Sequence, residues 1–396
     1  MPEHHTTVWD VCRTYWPILA CSFLVSFAAT PLCRRYALRR KIVDRPDDFL
    51  KPHKAPVPYL GGVAIFLGWA AGVLLAFALF EPVPEVVVRP RVAPTMDTTM
   101  MAGIFVAGLA IMLLGLFDDL RMAAPWFKLV GAAAVALLLI LVGLGNDTIL
   151  IVLRSTGLRL DDLQPWLVLV YSVPLTLFIT IGACNATNLI DGIDGLCSGV
   201  LGIISAGFLV LAVHLHVWGD WYPWDVERVT LSLAMMGAAL GFLPYNRSPA
   251  RIFMGDAGSM LLGLNAAILI LLFTKSNAIR WLLASVMVFG LPLADMILTL
   301  VRRWRNQRPL MRGDRSHFYD QLLDRGWPLR RVVTISYVLA GFFAVMGCIS
   351  IALRTRYILL LYPLVIAGVI GLVARFKMVR LESPQQSANI PDRCEP

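Results

Sequence analysis

Long apolar runs recur along the whole chain and restrict what it can fold into. Each is long enough to cross a hydrocarbon layer of about 30 Å, which takes about 20 helical residues. A backbone in that layer must satisfy its own hydrogen bonds, so such runs form helices. The runs cover residues 16–38, 57–80, 100–117, 126–145, 165–187, 196–217, 229–245, 257–274, 279–301, 331–353 and 356–376. The sequence therefore predicts an all-α polytopic membrane protein, a bundle of about 11 transmembrane helices.

The basic residues lie between these apolar runs. Hydrophobic residues make up 58% of the 396 positions, and the formal net charge is +9. Most of the 35 lysines and arginines fall on one side of the predicted bundle, which the positive-inside rule assigns to the cytoplasm. They do not form the single stripe that is typical of nucleic-acid-binding proteins, so no nucleic-acid partner is expected. We expect residues 1–380 to form one transmembrane domain and residues 381–396 to form a disordered cytoplasmic tail.

One connection on the predicted outer side differs from the helical pattern. Residues 148–160 combine β-branched residues with an Arg-Ser-Thr-Gly turn. Such a composition predicts a small β-hairpin. We expect it to cover the ends of neighbouring helices.

Four acidic clusters adjoin the apolar runs. They are Asp118-Asp119, the segment from Asn188 to Gly195, the segment around Asp256, and the segment from Asp314 to His317. Carboxylates are costly beside hydrocarbon and tend to persist there for a function. Because all four clusters fall on the same predicted face, the sequence predicts cytoplasmic active-site loops with a divalent-metal site for a polyanionic substrate.

Two of these clusters adjoin the inner ends of helices. Asp118 and Asp119 end an apolar helix, where two anions are unfavourable unless a cation such as Mg²⁺ compensates them. Asn188, Asp191 and Asp194 are spaced so that a helix or helical turn aligns them on one side. That side either binds a metal or a nucleotide, or is simply a solvated loop.

The other candidates also have two interpretations each. Asp256 stands between glycines just before a helix, so it is either an N-cap or a metal ligand. Lys54 lies between Pro52 and Pro56 in the first inner segment, where it either contacts a phosphate or adds ordinary positive-inside charge. Arg315 and His317 lie in the last large inner loop; arginine suits phosphate, whereas a lone loop histidine is usually structural.

Taken together, these motifs resemble those of the polyprenyl-phosphate N-acetylhexosamine-1-phosphate transferase family. Asp-Asp, Asn-Leu-Ile-Asp-Gly-Ile-Asp-Gly and Phe-Met-Gly-Asp-Ala-Gly-Ser occur in that family's order and spacing, and the resemblance runs from about Asp44 to Gly326. It implies a bundle of ten or eleven helices in the bacterial inner membrane. It also implies transfer of a sugar 1-phosphate from a UDP-sugar to a membrane polyprenyl phosphate, with release of UMP.

The resemblance also implies roles for individual residues. Asp118 and Asp119 match the aspartate pair that handles Mg²⁺ and the polyprenyl phosphate, and His317 matches a histidine of the catalytic loop. Asp119 and Asp256 are the expected ligands of Mg²⁺, for which Mn²⁺ is a substitute. The expected substrate-binding residues are Lys54, Asn188, Asp191, Asp194, Phe253, whose ring packs on uracil, and Arg315.

One motif departs from the family pattern. Where relatives carry several histidines in the last large loop, this chain reads His317-Phe318-Tyr319-Asp320. We expect Asp320 to face a loop arginine or a sugar hydroxyl. The residues of the other motifs favour the N-acetylglucosamine branch of the family. The phospho-MurNAc-pentapeptide branch is the alternative.

The reaction and the partners leave further alternatives. Direct in-line attack by the lipid phosphate is favoured, and a covalent aspartyl-phosphate route is the other possibility. A cation-coupled transporter is the rival from another class, but transporters place their acids near the bilayer midplane, whereas these lie at span ends. A homodimer is a further expectation.

Overall fold

The computed structural model describes residues 7–44, 56–82, 95–121, 124–156, 164–219, 224–276, 278–307 and 317–379. The predicted tail, 381–396, lies outside the described residues. The helices in these ranges are α1 (Val8–Arg40), α2 (Gly61–Leu79), α3 (Thr98–Arg121), α4 (Pro125–Leu141), α5 (Thr148–Ser155), α6 (Pro165–Ile190), α7 (Leu196–Trp218), α8 (Asp225–Asn246), α9 (Gly255–Thr274), α10 (Ile279–Val288), α11 (Gly290–Arg305), α12 (Phe318–Asp324), α13 (Leu329–Ala352) and α14 (Thr355–Arg375). Strand β1 (Val43–Asp44) pairs antiparallel with β2 (Val57–Pro58), and β3 (Glu81–Pro82) pairs parallel with β4 (Thr95–Met96).

The predicted class is confirmed. In the described part of the chain, 9 helices are long and apolar enough to cross a membrane. The bent pair α10 and α11 passes the same test together, and α4 contributes a shorter apolar helix. These elements correspond one for one to the apolar runs of the sequence.

Helix α9 is the centre of the bundle. Every residue in its most apolar 18-residue stretch is buried. The buried share of the corresponding stretch is 83% in α8 and 11% in the peripheral α14. Small residues permit this packing: a Cβ on Gly263 would lie 2.7 Å from the carbonyl oxygen of Ala183 in α6. Because α2, α3 and α6 all pack against α9, their inner ends converge on its first turn.

Two local predictions were wrong. The single span expected over 279–301 is broken into α10 and α11, which meet at 73°. Gly290 and Pro292 follow the break, and proline cannot continue a helix without losing a hydrogen bond and clashing with the preceding turn.

The hairpin expected over 148–160 does not form in the described part of that segment, 148–156, where Thr148–Ser155 form α5. Its first turn is held on α6, because the Ile149 amide donates to Ser172 Oγ at 3.1 Å and the Thr148 hydroxyl lies 3.1 Å from that of Thr176. These tertiary contacts outweigh the β propensity of the segment.

Candidate functional site

Two of the predicted motifs meet where α3 ends and α9 begins. Asp119 Oδ1 accepts a hydrogen bond from the Asp256 amide at 2.9 Å, and Oδ2 accepts from the Ala257 amide at 3.2 Å. Gly255 makes this approach possible, because it has φ of +64° and a Cβ there would lie 2.5 Å from Asp119 Oδ2. An anion at a helix N-terminus satisfies unpaired amides and complements the helix dipole. Asp119 therefore anchors the end of α3 to the central helix.

Lys128, in the first turns of α4, bridges two of the predicted acids. Its ammonium group lies 2.7 Å from Asp118 Oδ2 and also contacts Asp256 Oδ2. The three side chains are partly accessible, at 24% for Lys128, 12% for Asp118 and 22% for Asp256. The chain thus holds a cation of its own between two carboxylates at a position that is partly accessible to solvent.

Sequence reasoning counted Lys128 only as a basic residue of the inner side. One signal was available: Pro125 sets the start of α4, so Lys128 was certain to lie near a helix N-terminus. A positive charge is unfavourable there unless an anion lies close by. The partners of Lys128 come from α3 and α9, which no local pattern identifies.

The third motif reaches Asp256 from α6. The Asn188 amide nitrogen donates to Asp256 Oδ1 at 2.7 Å and to Ser259 Oγ at 3.0 Å. Asp256 therefore has one oxygen toward Lys128 and the other toward Asn188. The ends of α3, α4, α6 and α9 meet at this single carboxylate, as the shared face in the sequence predicted.

Within the described residues, the side chains of Asn188, Asp191 and Asp194 have no hydrogen-bond partner in common. Helix α6 ends at Ile190, and Asp194 Oδ2 accepts from the Ala250 amide at 2.9 Å, which ties the turn after α6 to the segment before α9. Asp191 lies in the turn itself. Burial, followed by the negative charges of Asp256, Asp119 and Asp194, raises its pKa well above the ordinary value.

Phe253 belongs to a tight connection between the first inner segment and α9. Its amide donates to the Pro58 carbonyl at 2.8 Å, and its own carbonyl accepts from Gly61 at 2.9 Å. The packing of its ring on uracil stays a prediction. Lys54, which the sequence placed in the same segment, lies outside the described residues.

His317 is held by an acid that the sequence analysis did not single out. Its Nδ1 lies 2.8 Å from Asp295 Oδ2 of α11, and Asp295 Oδ1 accepts from the Phe318 amide at 3.0 Å. The ring of Tyr319 stacks on His317 with centroids 5.4 Å apart, while the Tyr319 hydroxyl donates to the Leu189 carbonyl at 2.8 Å. Residues 317–320, the histidine loop, are therefore docked beside the end of α6.

Parts of the predicted last loop are not placed. Arg315 lies outside the described residues. Asp320 is 8% exposed in the first turn of α12, so its contact with a sugar or an arginine stays a prediction. The hydroxyl of Tyr319 is already used by Leu189, and burial together with the charges of Asp320 and Asp295 raises its pKa well above the ordinary value, so it remains a protonated donor.

The donor set fits a hard cation that retains its waters. Among the described residues, no three His, Cys, Asp or Glu side chains are arranged as ligands of one metal ion. Mg²⁺ does not need three, because it usually binds one or two carboxylates together with waters and substrate phosphates. Asp256 and Asp118 already share a cationic group, and each oxygen of Asp119 retains a further lone pair. Asp119 as a metal ligand stays a prediction.

The chain was compared with known proteins. Residues 101–274 match the family described as glycosyl transferase family 4, a range that contains every predicted acidic residue from Asp118 to Asp256. The relatives include a probable undecaprenyl-phosphate N-acetylglucosaminyl 1-phosphate transferase of Bacillus subtilis, 32% identical over 89% of this chain and 91% of the relative. Decaprenyl-phosphate N-acetylglucosaminephosphotransferase of Mycobacterium tuberculosis is 34% identical over 88% of this chain and 86% of the relative.

A second kind of relative is more distant. Phospho-N-acetylmuramoyl-pentapeptide-transferase of Thermodesulfovibrio yellowstonii is 27% identical over 86% of this chain and 93% of the relative. This order agrees with the branch that the motifs favoured. The chain belongs to glycosyl transferase family 4, the family of polyprenyl-phosphate sugar-phosphate transferases that its motifs resemble, and lies nearer to its N-acetylglucosamine members than to its muramoyl-pentapeptide members.

Proposed function

We propose that this protein transfers N-acetylglucosamine 1-phosphate from a UDP-sugar to a polyprenyl phosphate and releases UMP. The observation that carries the proposal is the convergence of Asp118, Lys128, Asn188 and Asp119 on Asp256 at one end of the bundle. This arrangement suits a reaction between two phosphate-bearing molecules. The names of relatives that match most of the chain supply the sugar and the lipid class.

The charge of the site supports a requirement for a divalent cation. Asp118, Asp119 and Asp256 outnumber the single ammonium group of Lys128. Burial first, and then the charges of Asp256, Asp119 and Asp194, raise the pKa of Asp191. A pyrophosphate and a lipid phosphate would add several more negative charges. We propose Mg²⁺, or Mn²⁺ in its place, held by Asp256 together with Asp118 or Asp119. When bound, it would neutralise phosphate charge and orient the phosphate oxygens.

The residues of the chain then have separable tasks. Lys128 would turn its ammonium group from the carboxylates toward an incoming phosphate, as a mobile point charge. Asn188 holds the Asp256 carboxylate by one oxygen, and Asp119 fixes the first turn of α9 on which Asp256 stands. Preorganised charges of this kind favour the transition state because they need not rearrange during the reaction.

The chemical step is an attack by a lipid phosphate oxygen on the β-phosphorus of the UDP-sugar. The new bond joins that oxygen to the β-phosphorus, and the bond between the β-phosphorus and the bridging oxygen breaks, so UMP leaves with the electron pair. A phosphate monoester has its second pKa near 6 and is mostly a dianion at neutral pH. Asp118 therefore serves mainly to orient the nucleophile, and the direct route needs no covalent intermediate on the protein.

We place the reaction on the cytoplasmic side of the bacterial inner membrane. The support is the concentration of Lys and Arg at the same end of the bundle as Asp256. His317, Asp191, Asp194 and Phe253 would contact the nucleotide sugar from that side. A homodimer is proposed on the family resemblance alone.

The proposal is tested with purified full-length protein in detergent. UMP release from UDP-N-acetylglucosamine should require both Mg²⁺ and polyprenyl phosphate, and chelation should abolish it. UDP-MurNAc-pentapeptide should be a much poorer donor. UMP release only from the pentapeptide donor would assign the protein to the other branch, and no release from either would overturn the proposal.

A further inference from the structure

Asp295 is a buried carboxylate in the otherwise apolar first half of α11. Its side chain is 1% exposed, and both oxygens have partners. Oδ2 lies 2.8 Å from His317 Nδ1, and Oδ1 accepts from the Phe318 amide at 3.0 Å. A charge is rarely retained at such a position without a specific partner. Asp295 is therefore bound at once to the histidine ring and to the start of α12.

This contact fixes the orientation and the proton of the ring. An ionised carboxylate only accepts hydrogen bonds, so the facing nitrogen, Nδ1, carries the proton. Thr299 Oγ1 stands 3.3 Å from the same nitrogen and closes that edge of the ring. Nε2 is the other ring nitrogen and is left free of these two contacts. Among the described residues, Nε2 has no hydrogen-bond partner.

One face of the ring is covered by a residue of α12. Tyr319 stacks on His317 at an interplanar angle of 11°. The Tyr319 hydroxyl binds the Leu189 carbonyl, next to Asn188, whose amide holds Asp256. These contacts connect Asp295, through the histidine loop, to the carboxylate cluster around Asp256.

We propose that Asp295 is a positioning residue, which holds the His317 ring by Nδ1 so that Nε2 is presented to the pyrophosphate of the donor. The proposal rests on the proposed transferase function for the identity of that ligand. The buried carboxylate acts through the ring and never touches the substrate, so its negative charge is kept away from the phosphates. Loss of the group that orients a metal-binding histidine typically costs about 10- to 100-fold in affinity or activity, and we expect an effect of the same order for Asp295.

Asp295 also supports α12 through Phe318, so removal of the whole side chain would not separate positioning from folding. Asp295→Asn is the informative change, because its amide oxygen can still accept from the Phe318 amide while the negative charge facing Nδ1 is lost. Asn306→Ala is the matched control. It removes partly buried hydrogen bonds to the Arg302 and Val379 carbonyls at the far end of α11, and Asn306 has no hydrogen bond with His317.

The kinetic experiment is a double-mutant cycle on the full-length enzyme with Asp295→Asn, His317→Gln and the combined variant. We expect Asp295→Asn to lower kcat about 10- to 100-fold with little change in KM. In the His317→Gln background the same change should cost no more than about 2-fold, because there is no ring left to position. Asn306→Ala should keep wild-type turnover. Fully additive losses would overturn the proposal, since Asp295 would then act independently of His317.

A spectroscopic readout does not depend on activity. In protein labelled with ¹⁵N-histidine, the signal that disappears in His317→Gln belongs to His317. It should report a protonated Nδ1 in the wild type and a shift toward the other tautomer in Asp295→Asn. A ring protonated only at Nε2 in the wild type would overturn the proposal. If the wild type shows the expected tautomer but no donor releases UMP, the transferase function fails while the positioning contact stands.

Discussion

The two ends of the central helix α9, named inner where Asp256 lies and outer where Arg228 lies after the proposed orientation, both bind charge, but in different surroundings. At its inner N-terminus the carboxylate of Asp119 accepts from backbone amides. At its outer C-terminus the guanidinium group of Arg228 donates to the Leu272 carbonyl from Nε at 3.2 Å and from Nη2 at 2.6 Å. Each charge complements the helix dipole at its own end. A charge of the favourable sign therefore stabilises α9 at both of its ends.

What differs is access. Arg228 is 0% exposed, and its Nη1 lies 2.8 Å from Asp225 Oδ1, so this ion pair is closed within the protein. At the inner end Asp118, Lys128 and Asp256 are all partly accessible and are shared among three helices. A closed pair can only stabilise, whereas an accessible cluster can exchange its partners for a substrate. The comparison therefore predicts that inner changes alter turnover and outer changes alter stability.

The largest expected effect on turnover is that of Asp256→Asn. The change removes a charge that pairs with Lys128 and a ligand of the proposed metal, so turnover should fall to background. Asp225→Asn is the matched control at the outer end and should retain wild-type kcat. Equal kinetic losses in the two variants would remove the distinction between the ends.

Next in size are the two neighbouring acids of α3. Asp118→Ala and Asp119→Ala should each lower turnover at least about 100-fold, because both are expected to position the lipid phosphate. Only Asp119→Ala should also lower the free energy of unfolding, by about 1 kcal/mol, because Asp119 caps α9. Melting curves that show the same loss for both variants would contradict the separate roles.

A smaller effect is expected from Gly192→Ala. The added Cβ would lie 2.1 Å from the Tyr319 hydroxyl and would break its bond to Leu189, which shifts the histidine loop. Because turnover is sensitive to small displacements of groups at the site, this shift of the loop should lower it about 10-fold. Gly182→Ala is the matched control, since nothing lies within 4 Å of its Cβ. Unchanged kinetics for Gly192→Ala would show that the docking of this loop does not matter to the reaction.

The smallest effect on turnover belongs to the outer end. Arg228→Met should leave the kcat of the folded protein unchanged while the free energy of unfolding falls by about 3 kcal/mol, because Asp225 keeps a buried charge without its partner. Thermal denaturation in detergent and turnover per folded molecule measure the two separately. A selective loss of kcat with normal stability would place part of the reaction at the outer end.

The sequence was sufficient for features that depend on local pattern. Apolar runs predicted the spans, because a segment in hydrocarbon has no other stable backbone structure. The acidic motifs predicted the shared face, which the contacts of Asp119 and Asn188 with Asp256 bear out. The bend between α10 and α11 was missed because hydropathy does not register a break inside an apolar run.

The partners of the site residues were beyond the sequence for a related reason. Lys128 and Asp295 each lie in a helix that looks ordinary on its own. Their roles depend on contacts with residues more than 20 positions away in the sequence. Lys128 contacts Asp256, and Asp295 contacts His317. Pairings of this kind are set by helix packing, which a single sequence does not specify.

The most direct test of the central claim follows the β-phosphorus. Full-length protein is incubated with UDP-N-acetylglucosamine carrying ³²P at the β position, polyprenyl phosphate and Mg²⁺, and the lipid and aqueous phases are separated. The account predicts that the label enters the lipid phase in an amount equal to the UMP released, and that Asp256→Asn abolishes both. Release of labelled UDP, with no label in the lipid, would show that the sugar carbon rather than the phosphorus is attacked, and would contradict the account.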